Sequence, residues 1–475
     1  MNQYAQWDEK YQSAYQRGLE RIRALSGVCC AFHSVIDGVI HLTPELIAPV
    51  LESDPALKAA ALAGCRGETP LEIQSPADFI QGMFYGVKRG SALQRMIRSK
   101  ETYEWALETF GPGELRLGGT SANMARSLAP LEIPVTVYAN PLTVELAELF
   151  GDADSMRIIA KEGDRYALKR PIEAATERGV FAIHWIFEYD PSFELTLDGE
   201  TIKPHRSNRY IPSWNPANNQ FKMDPLFAEG FKARLDQYSH LLFSGFHILS
   251  ETYPDGKTCE DVVRPLGEYL ADIRAQKPEL KIHLEMASIA SRRVRQAVID
   301  FVLPHIDSLG LNETELPLLL ENIGEQALAD DLRTAPSIDE FLRACSLAVE
   351  RTGVERVHFH NLGYYLCLEK RPWTSPQDSR DALLFAAVLA AARAQNGLFT
   401  KIEDSQAGFE AKVAALGLEQ LQALADALNQ PDFVETGICE YEGLSLAAVP
   451  TRLVDKPLFT VGLGDTISAG AFLTE

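Results

Sequence analysis

Short apolar, β-branched runs alternate along this chain with stretches of helical periodicity, and that alternation constrains the fold more than any single motif. The strand candidates are GVCCAF (27–32), VTVYA (135–139), FAIHWIF (181–187), HLLFSG (240–245), KIHLEMA (281–287), HIDSLGL (305–311) and RVHFHN (356–361). Amphipathic or Ala/Leu-rich stretches such as SRRVRQAVIDFVL and DSRDALLFAAVLAAARAQNG lie between them. Strands joined through helices run parallel, and a parallel sheet is covered by helices on both faces. The expected class is therefore α/β, with ligands at the carboxyl ends of the strands. Between Glu188 and Pro216 the rhythm stops: the segment is polar, with Pro, Asn and Arg, and ELTLDGETIK reads as a hairpin turning at Asp198-Gly199. That segment is expected to belong to a lid. An amphipathic first helix, from about Asp8 to Leu25, serves packing.

Composition narrows the partners. With 475 residues, 46% of them hydrophobic, the chain can bury a large core in two or three domains or in one large domain with insertions. No apolar run approaches the roughly 20 residues of a membrane span, and MNQYAQWDEKYQ is too polar for a signal sequence, so a cytoplasmic protein without a membrane partner is expected. The seven cysteines, Cys29, Cys30, Cys65, Cys259, Cys345, Cys367 and Cys439, show no CxxC or Cys/His metal spacing and are odd in number, which points to reduced, buried thiols. A formal charge of -21 argues against a nucleic-acid partner, and an anionic substrate would need locally placed cations.

The most constrained stretch, TVGLGDTISAGAF, occupies 460–472. An apolar lead-in from Leu458 to Val461 reaches a loop in which Gly462 and Gly464 leave room for a ligand, and Asp465 precedes a helix. A helix N-terminus attracts a phosphoryl group, and a carboxylate beside it can take the proton of an attacking hydroxyl. The same pattern fits an ordinary helix N-cap with turn glycines. In HLEMAS, His283 and Glu285 share one strand face; this pair serves a site or is a hydrogen-bonded structural pair. In NETE, Asn312 and Glu315 stand three apart at a helix start; hard oxygen ligands at that spacing suit Mg²⁺, and an N-cap Asn with an acidic first turn gives the same pattern.

Together, HxE, then NxxE, then a terminal TVGLGDTIS resemble the ADP-dependent glucokinase and phosphofructokinase family, a branch of the ribokinase-like sugar kinases. Further resemblance lies in HSVIDGV, RLGGTSANMARSLA, PLTVELAELF, IHWIFEY, NRYI, SGFH and VPTRLV. The resemblance implies a ribokinase-like α/β fold: a large, mainly parallel domain at 1–37, 117–167 and 217–475, and a smaller α/β lid at 38–116 and 168–216. It implies Asp465 as catalytic base, with the Gly462 and Gly464 loop as anion hole. Glu285 and Glu315 would organise Mg²⁺ together with Asn312, which also borders the nucleotide. Arg209 in NRYI would be the lid arginine that reaches the donor phosphates, and His360 and Val454 would belong to the adenine pocket. The donor would be ADP, which gives up its β-phosphate and leaves as AMP.

On the acceptor side the chain departs from the family pattern. Where that pattern reads N-x-N-[IV]-D, this chain has His33-Ser34-Val35-Ile36-Asp37; where it reads G-G-N-A-G or G-G-Q-A-G, this chain has Gly118-Gly119-Thr120-Ser121-Ala122. Asp37, His33, Gly118, Gly119, Thr120 and His184 are the expected acceptor residues, while Trp185, Phe187 and Tyr189 read as packing. Lost amides change which hydroxyls can be bonded. Glucose or fructose 6-phosphate is the expected acceptor; the alternatives are another sugar, a nucleoside, or a non-catalytic relative that binds nucleotide and a small ligand.

Overall fold

The computed structural model of the protein describes residues 3–475 other than 152, 218, 220, 222, 398–399 and 459–460. Phe459 and Thr460, inside the apolar lead-in to the terminal motif, lie outside the described residues. Eleven strands form the larger sheet. At its centre Val28–Ala31 pairs in parallel with Val135–Val137 on one side and His240–Phe243 on the other. Lys281–Glu285, Ser308–Asn312 and Arg356–His360 continue in parallel beyond His240–Phe243. The helices Cys259–Gln276, Arg292–Phe301 and Ile338–Thr352 make the crossovers that these parallel pairs require. Where the connection shortens to a turn, as between His360 and Tyr364, the next strand pairs antiparallel.

The order of strands reverses beside Val28–Ala31. From it the chain winds outward through Val135–Val137 to Met156–Glu162, then returns to His240–Phe243 and winds the other way. Such a switch opens a crevice at the carboxyl ends of the strands. His33 follows one of the two strands at the switch, and His247 follows the other.

A second sheet of five strands runs in the order Leu93–Met96, Asn208–Trp214, Ile183–Tyr189, Val35–His41 and Glu114–Gly118. It has its own core, in which Phe79, Trp185, Phe187 and Tyr210 pack with residues of the helices Pro44–Ser53, Pro55–Arg66 and Pro76–Arg89. The last of these starts from a capping box, Ser75 with Asp78, followed by Pro76. Period-two alternation sends Trp185 and Phe187 into this core while His184 and Ile186 face the crevice of the large sheet.

The hairpin is present as Leu195–Leu197 and Glu200–Ile202, with Asp198 and Gly199 both at positive φ, the conformation of a two-residue hairpin turn. FAIHWIF, inside the expected lid segment 168–216, lies in the small sheet with Val35–His41 and Asn208–Trp214 as its partners. Two expectations shift. The first helix is Gln3–Arg23, extended at its start by the buried Trp7. The second small-sheet segment begins after the expected 168: Arg165–Lys169 pairs with Met156–Glu162 at the edge of the large sheet. Among the described residues no helix is long and apolar enough to cross a membrane.

Candidate active site

The helix Leu463–Leu473 begins at Gly462, whose φ is 72°, and no side chain caps it. Its first-turn N–H groups are therefore donors in want of an acceptor. Two cavities meet at this turn. One, about 350 Å³, is lined by Asn312, His360, Val454, Leu463 and Gly464 and walled by the small apolar Ala390, Ala391 and Ala394. The other, about 160 Å³, is lined by His33, Asp37, Gly119, Thr120, His184, Arg209, Gly462 and Asp465. Gln94, Asn123 and His247 complete its polar wall.

Asp465 thus lies on the polar cavity, one residue beyond the glycine that borders the apolar one. Burial pushes its carboxyl up to about 7; the Glu285 carboxylate adds to the rise, and the Arg393 guanidinium and the Asn123 amide oppose it. A carboxyl in that range can exchange a proton near neutral pH.

Beneath the turn lies a buried acidic pair. Glu285 projects from the strand Lys281–Glu285 with its Oε2 3.5 Å from His283 Nε2 and its Oε1 3.9 Å from His360 Nε2. Burial raises its pKa, but its contacts with His283 and the nearby His360 outweigh that effect and leave it lowered. His283 Nδ1 meets Ser308 Oγ at 2.9 Å, and that hydroxyl oxygen accepts from Arg356 Nη1, also at 2.9 Å. The serine proton is thereby directed to Nδ1, and the neutral ring turns Nε2 toward Glu285 Oε2 without making a hydrogen bond to it.

Glu315 accepts from the Asn312 N–H at 3.1 Å and from the Ser288 hydroxyl at 3.4 Å. Burial and the neighbouring Glu285 charge push its carboxyl up to about 8. A buried carboxyl raised by the charge of a neighbouring buried carboxylate, which itself has an oxygen without a hydrogen-bond partner, fits a divalent cation. Asn312 borders the apolar cavity, yet its Oδ1 is taken by the N–H groups of Thr314 and Glu315, at 2.9 and 3.1 Å, and so closes the turn into the helix.

The residues expected on the acceptor side come from both sheets. A side chain at Gly118 would place Cβ 2.0 Å from Asp37 Oδ1, so glycine is what lets this carboxylate lie across the strand Glu114–Gly118. Gly118 itself is absent from the cavity wall. Burial pushes Asp37 up to about 7, partly offset by Arg209 and Arg116. Its Oδ1 is 3.9 Å from His184 Nδ1. The Thr120 N–H donates to His33 Nδ1 at 3.3 Å, which leaves Nε2 as the protonated nitrogen of a neutral ring. Burial holds His33 well below its ordinary value and lowers His184 to about 3 and His247 to about 4. One buried nitrogen on each of these three rings has no hydrogen-bond partner. Neutral rings with spare nitrogens suit hydroxyl groups.

Three residues that sequence reading did not single out complete the arrangement. His247 closes HLLFSGFH just beyond a strand, Asn123 lies one turn beyond the glycine pair, and Arg393 interrupts the apolar run ALLFAAVLAAARA of its helix. Each position carried that signal, but only the packing brings them together.

An uncapped helix start between an apolar slot and a polar, hydroxyl-suited cavity, with a buried carboxylate at the junction, defines a small-molecule phosphotransferase of the α/β class. The family model described as the ADP-specific phosphofructokinase/glucokinase conserved region matches residues 26–474, and the chain belongs to that family. An ADP-specific phosphofructokinase of Methanosarcina acetivorans is 31% identical over 482 residues, covering 98% of this chain and 96% of its own. An ADP-dependent glucose/glucosamine kinase of Pyrococcus abyssi is 31% identical over 475 residues, 99% and 98% of the two chains. Among solved structures, the last common ancestor of ADP-dependent phosphofructokinases from Methanosarcinales superposes with a TM-score of 0.85 at 30% identity, covering 100% of this chain and 98% of that one. An ADP-dependent kinase in complex with fructose 6-phosphate and ADPβS gives 0.84 at 29% identity, with 98% and 97% covered.

Proposed function

We propose that the protein is an ADP-dependent sugar kinase that moves the β-phosphoryl group of ADP to a hydroxyl of glucose or fructose 6-phosphate and releases AMP. The observation that carries this reading is the Gly462–Asp465 turn, shared by an apolar cavity and a polar one. In it the apolar cavity takes the adenine nucleotide, with Val454 and His360 against the base and Asn312 beside the phosphates. Gly462 and Gly464 let the phosphoryl group approach the N-terminus of Leu463–Leu473, whose free N–H groups and dipole stabilise its charge. Asp465 takes the proton of the attacking hydroxyl.

On the acceptor side Asp37 accepts from a sugar hydroxyl and His33 donates through Nε2, while Gly119 and Thr120 shape the floor, Gly118 leaves room for the Asp37 carboxylate and His184 orients Asp37. Arg209, on the small sheet, is the lid cation that meets donor phosphates when the small body closes. Glu285 and Glu315 would hold Mg²⁺, partly through water; bound there, the ion supplies positive charge to the donor phosphates. The small sheet with its helices is the lid and acceptor domain of this reading. The free cysteines, most of them buried, fit its cytoplasmic setting.

The test is a single assay comparing ADP with ATP as donor and glucose with fructose 6-phosphate as acceptor. AMP formation that depends on ADP and on one of these acceptors supports the reading; transfer from ATP alone, or from neither donor, overturns it.

A further inference from the structure

Arg393 sits near the end of the helix Pro376–Asn396 and is 1% exposed. Its guanidinium reaches three other segments. Nη1 donates to Ser127 Oγ at 2.6 Å and to Thr466 Oγ1 at 3.0 Å, and Nη2 donates to Asn123 Oδ1 at 2.9 Å and to the Val461 carbonyl at 3.3 Å. Asn123 and Ser127 belong to the helix Thr120–Leu128, whose first turn borders the polar cavity; Thr466 belongs to the helix that carries Asp465. A Cβ on Gly462 would lie 2.7 Å from Arg393 Nη2 and 2.8 Å from Asn123 Cγ, so the turn rests directly on this pair.

All of these acceptors are neutral. Among the described residues Arg393 makes no ion pair, and its Nε has no hydrogen-bond partner. A buried cation without a directly paired anion is costly, and an apolar residue would fill a helix core at less expense. The one carboxylate with an electrostatic effect on it is Asp465, while Arg126 acts against it; burial lowers its pKa to about 10, still cationic at neutral pH. Its field is therefore free to act on the turn, where negative charge gathers as the reaction proceeds.

We propose that Arg393 is a positioning residue for phosphoryl transfer: from behind the Val461–Gly462 turn it locks the acceptor-side helix to the catalytic helix and supplies the positive charge that balances Asp465 and the arriving phosphoryl group. The proposal rests on the kinase reading above. It assigns Arg393 no contact with either substrate, so its effect must appear in turnover and in the behaviour of Asp465 rather than in nucleotide binding.

The experiment uses the full chain with Mg²⁺, ADP and whichever acceptor the wild type phosphorylates. Arg393→Met keeps the bulk and removes the charge; Arg393→Lys keeps the charge and removes the fork. The readouts are kcat, the Kd for ADP without acceptor, and the pH profile of kcat. Asp465 is faced by Glu285 from the large sheet, by Asp37 and Arg209 from the small sheet, by Asn123 from the helix Thr120–Leu128 and by Arg393, while His33, His184 and His247 line the same cavity. Removing only Arg393 leaves the anions to raise the Asp465 carboxyl further, so the acid limb must move to higher pH.

The expected result for Arg393→Met is a fall in kcat of about 10²-fold with an ADP Kd within about threefold of the wild type and an upward-shifted acid limb. Arg393→Lys is expected to return the limb to its place with only part of the turnover. An unmoved limb in Arg393→Met, or a Kd that weakens in step with kcat, overturns the proposal. Should Arg393→Met fail to fold, Ser127→Ala removes one partner and keeps the charge: kcat falls about three- to tenfold with the limb in place, and an unchanged kcat overturns the positioning role. A wild type that transfers nothing from ADP to any acceptor overturns the kinase reading and this proposal with it, whereas an active wild type with indifferent Arg393 variants overturns this proposal alone.

Discussion

The two cavities that meet at Gly462–Asp465 are built by opposite strategies. The cavity proposed for the donor draws on the large body alone, from segments near 312, 360, 390, 452 and 464, and its walls are mostly apolar, with Asn312, Glu313, His360, Asn361, Thr451 and Arg452 among them. The cavity proposed for the acceptor gathers three histidines, two aspartates, two amides and an arginine from both bodies. An apolar slot recognises a flat ring through area, so a single truncation there removes little. A polar cavity recognises hydroxyls one bond at a time, and each lost partner leaves a buried polar group unmatched. Sensitivity to substitution should therefore concentrate on the acceptor side and at the shared turn.

The sharpest test of that contrast is Asp37→Ala. It is expected to lower kcat/KM for the acceptor by about 10²-fold while the ADP Kd stays within about twofold, because the hydrogen bond it removes involves a charged partner. Equal losses for both substrates, in steady-state kinetics and calorimetry, would erase the division between the sides. The next effect lies beneath the turn. Glu285→Gln and Glu315→Gln are each expected to raise the Mg²⁺ concentration for half-maximal rate by about tenfold, through a weaker oxygen set around the ion. Unchanged Mg²⁺ titrations in both variants would make this pair structural.

The smallest effect is on stability, and it separates the two sides by their response to metal. Asp37 and Asp465 are raised from 3.8 to about 7 in the folded protein, and Glu315 from 4.5 to about 8. Folded values above unfolded ones mean that their stabilising contribution is complete below about pH 4 and is lost as pH rises through 7 to 8. Between pH 5 and about 7 the buried histidines, held below 6.5, act in the opposite sense, so metal-free protein is expected to lose a few degrees of Tm between pH 7 and 8.5, above their range. Mg²⁺ should recover the part due to Glu315 and leave the part due to Asp37. Glu369, raised to about 8 by burial and by Glu475, contributes alike in both conditions. A Tm that rises over this range, followed by calorimetry, would contradict these signs.

The same division explains what could be read from the sequence. The motifs proposed for donor and metal are contiguous: HLE, NETE and GLGD each carry their geometry in their spacing, because a strand or a helix start fixes which side chains share a face. The alternation of strands and helices made the large sheet legible for the same reason. The acceptor side depends on pairings between distant segments. FAIHWIF has the apolar texture of a buried parallel strand, and only its register against Val35–His41 sends His184 toward Asp37. Arg393 had a visible signal as a cation inside the apolar run ALLFAAVLAAARA, but its partners Asn123, Ser127 and Thr466 come from two other helices. Asn312 shows the converse: its motif was legible, yet its side-chain oxygen closes a helix turn. Local chemistry is written in the sequence; convergence is written in the packing.

In the proposed kinase reading Asp465 performs the chemistry at the junction while the cavities on either side do the binding. Asp465→Asn keeps the shape of the side chain and removes its capacity to take a proton. Calorimetric titration of this variant with ADP and, separately, with the acceptor, alongside its turnover, tests the claim directly. The predicted result is binding of each ligand within about threefold of the wild type and a kcat lower by about 10²–10⁴-fold. Turnover within a few-fold of the wild type, or loss of binding that matches the loss of turnover, would contradict it.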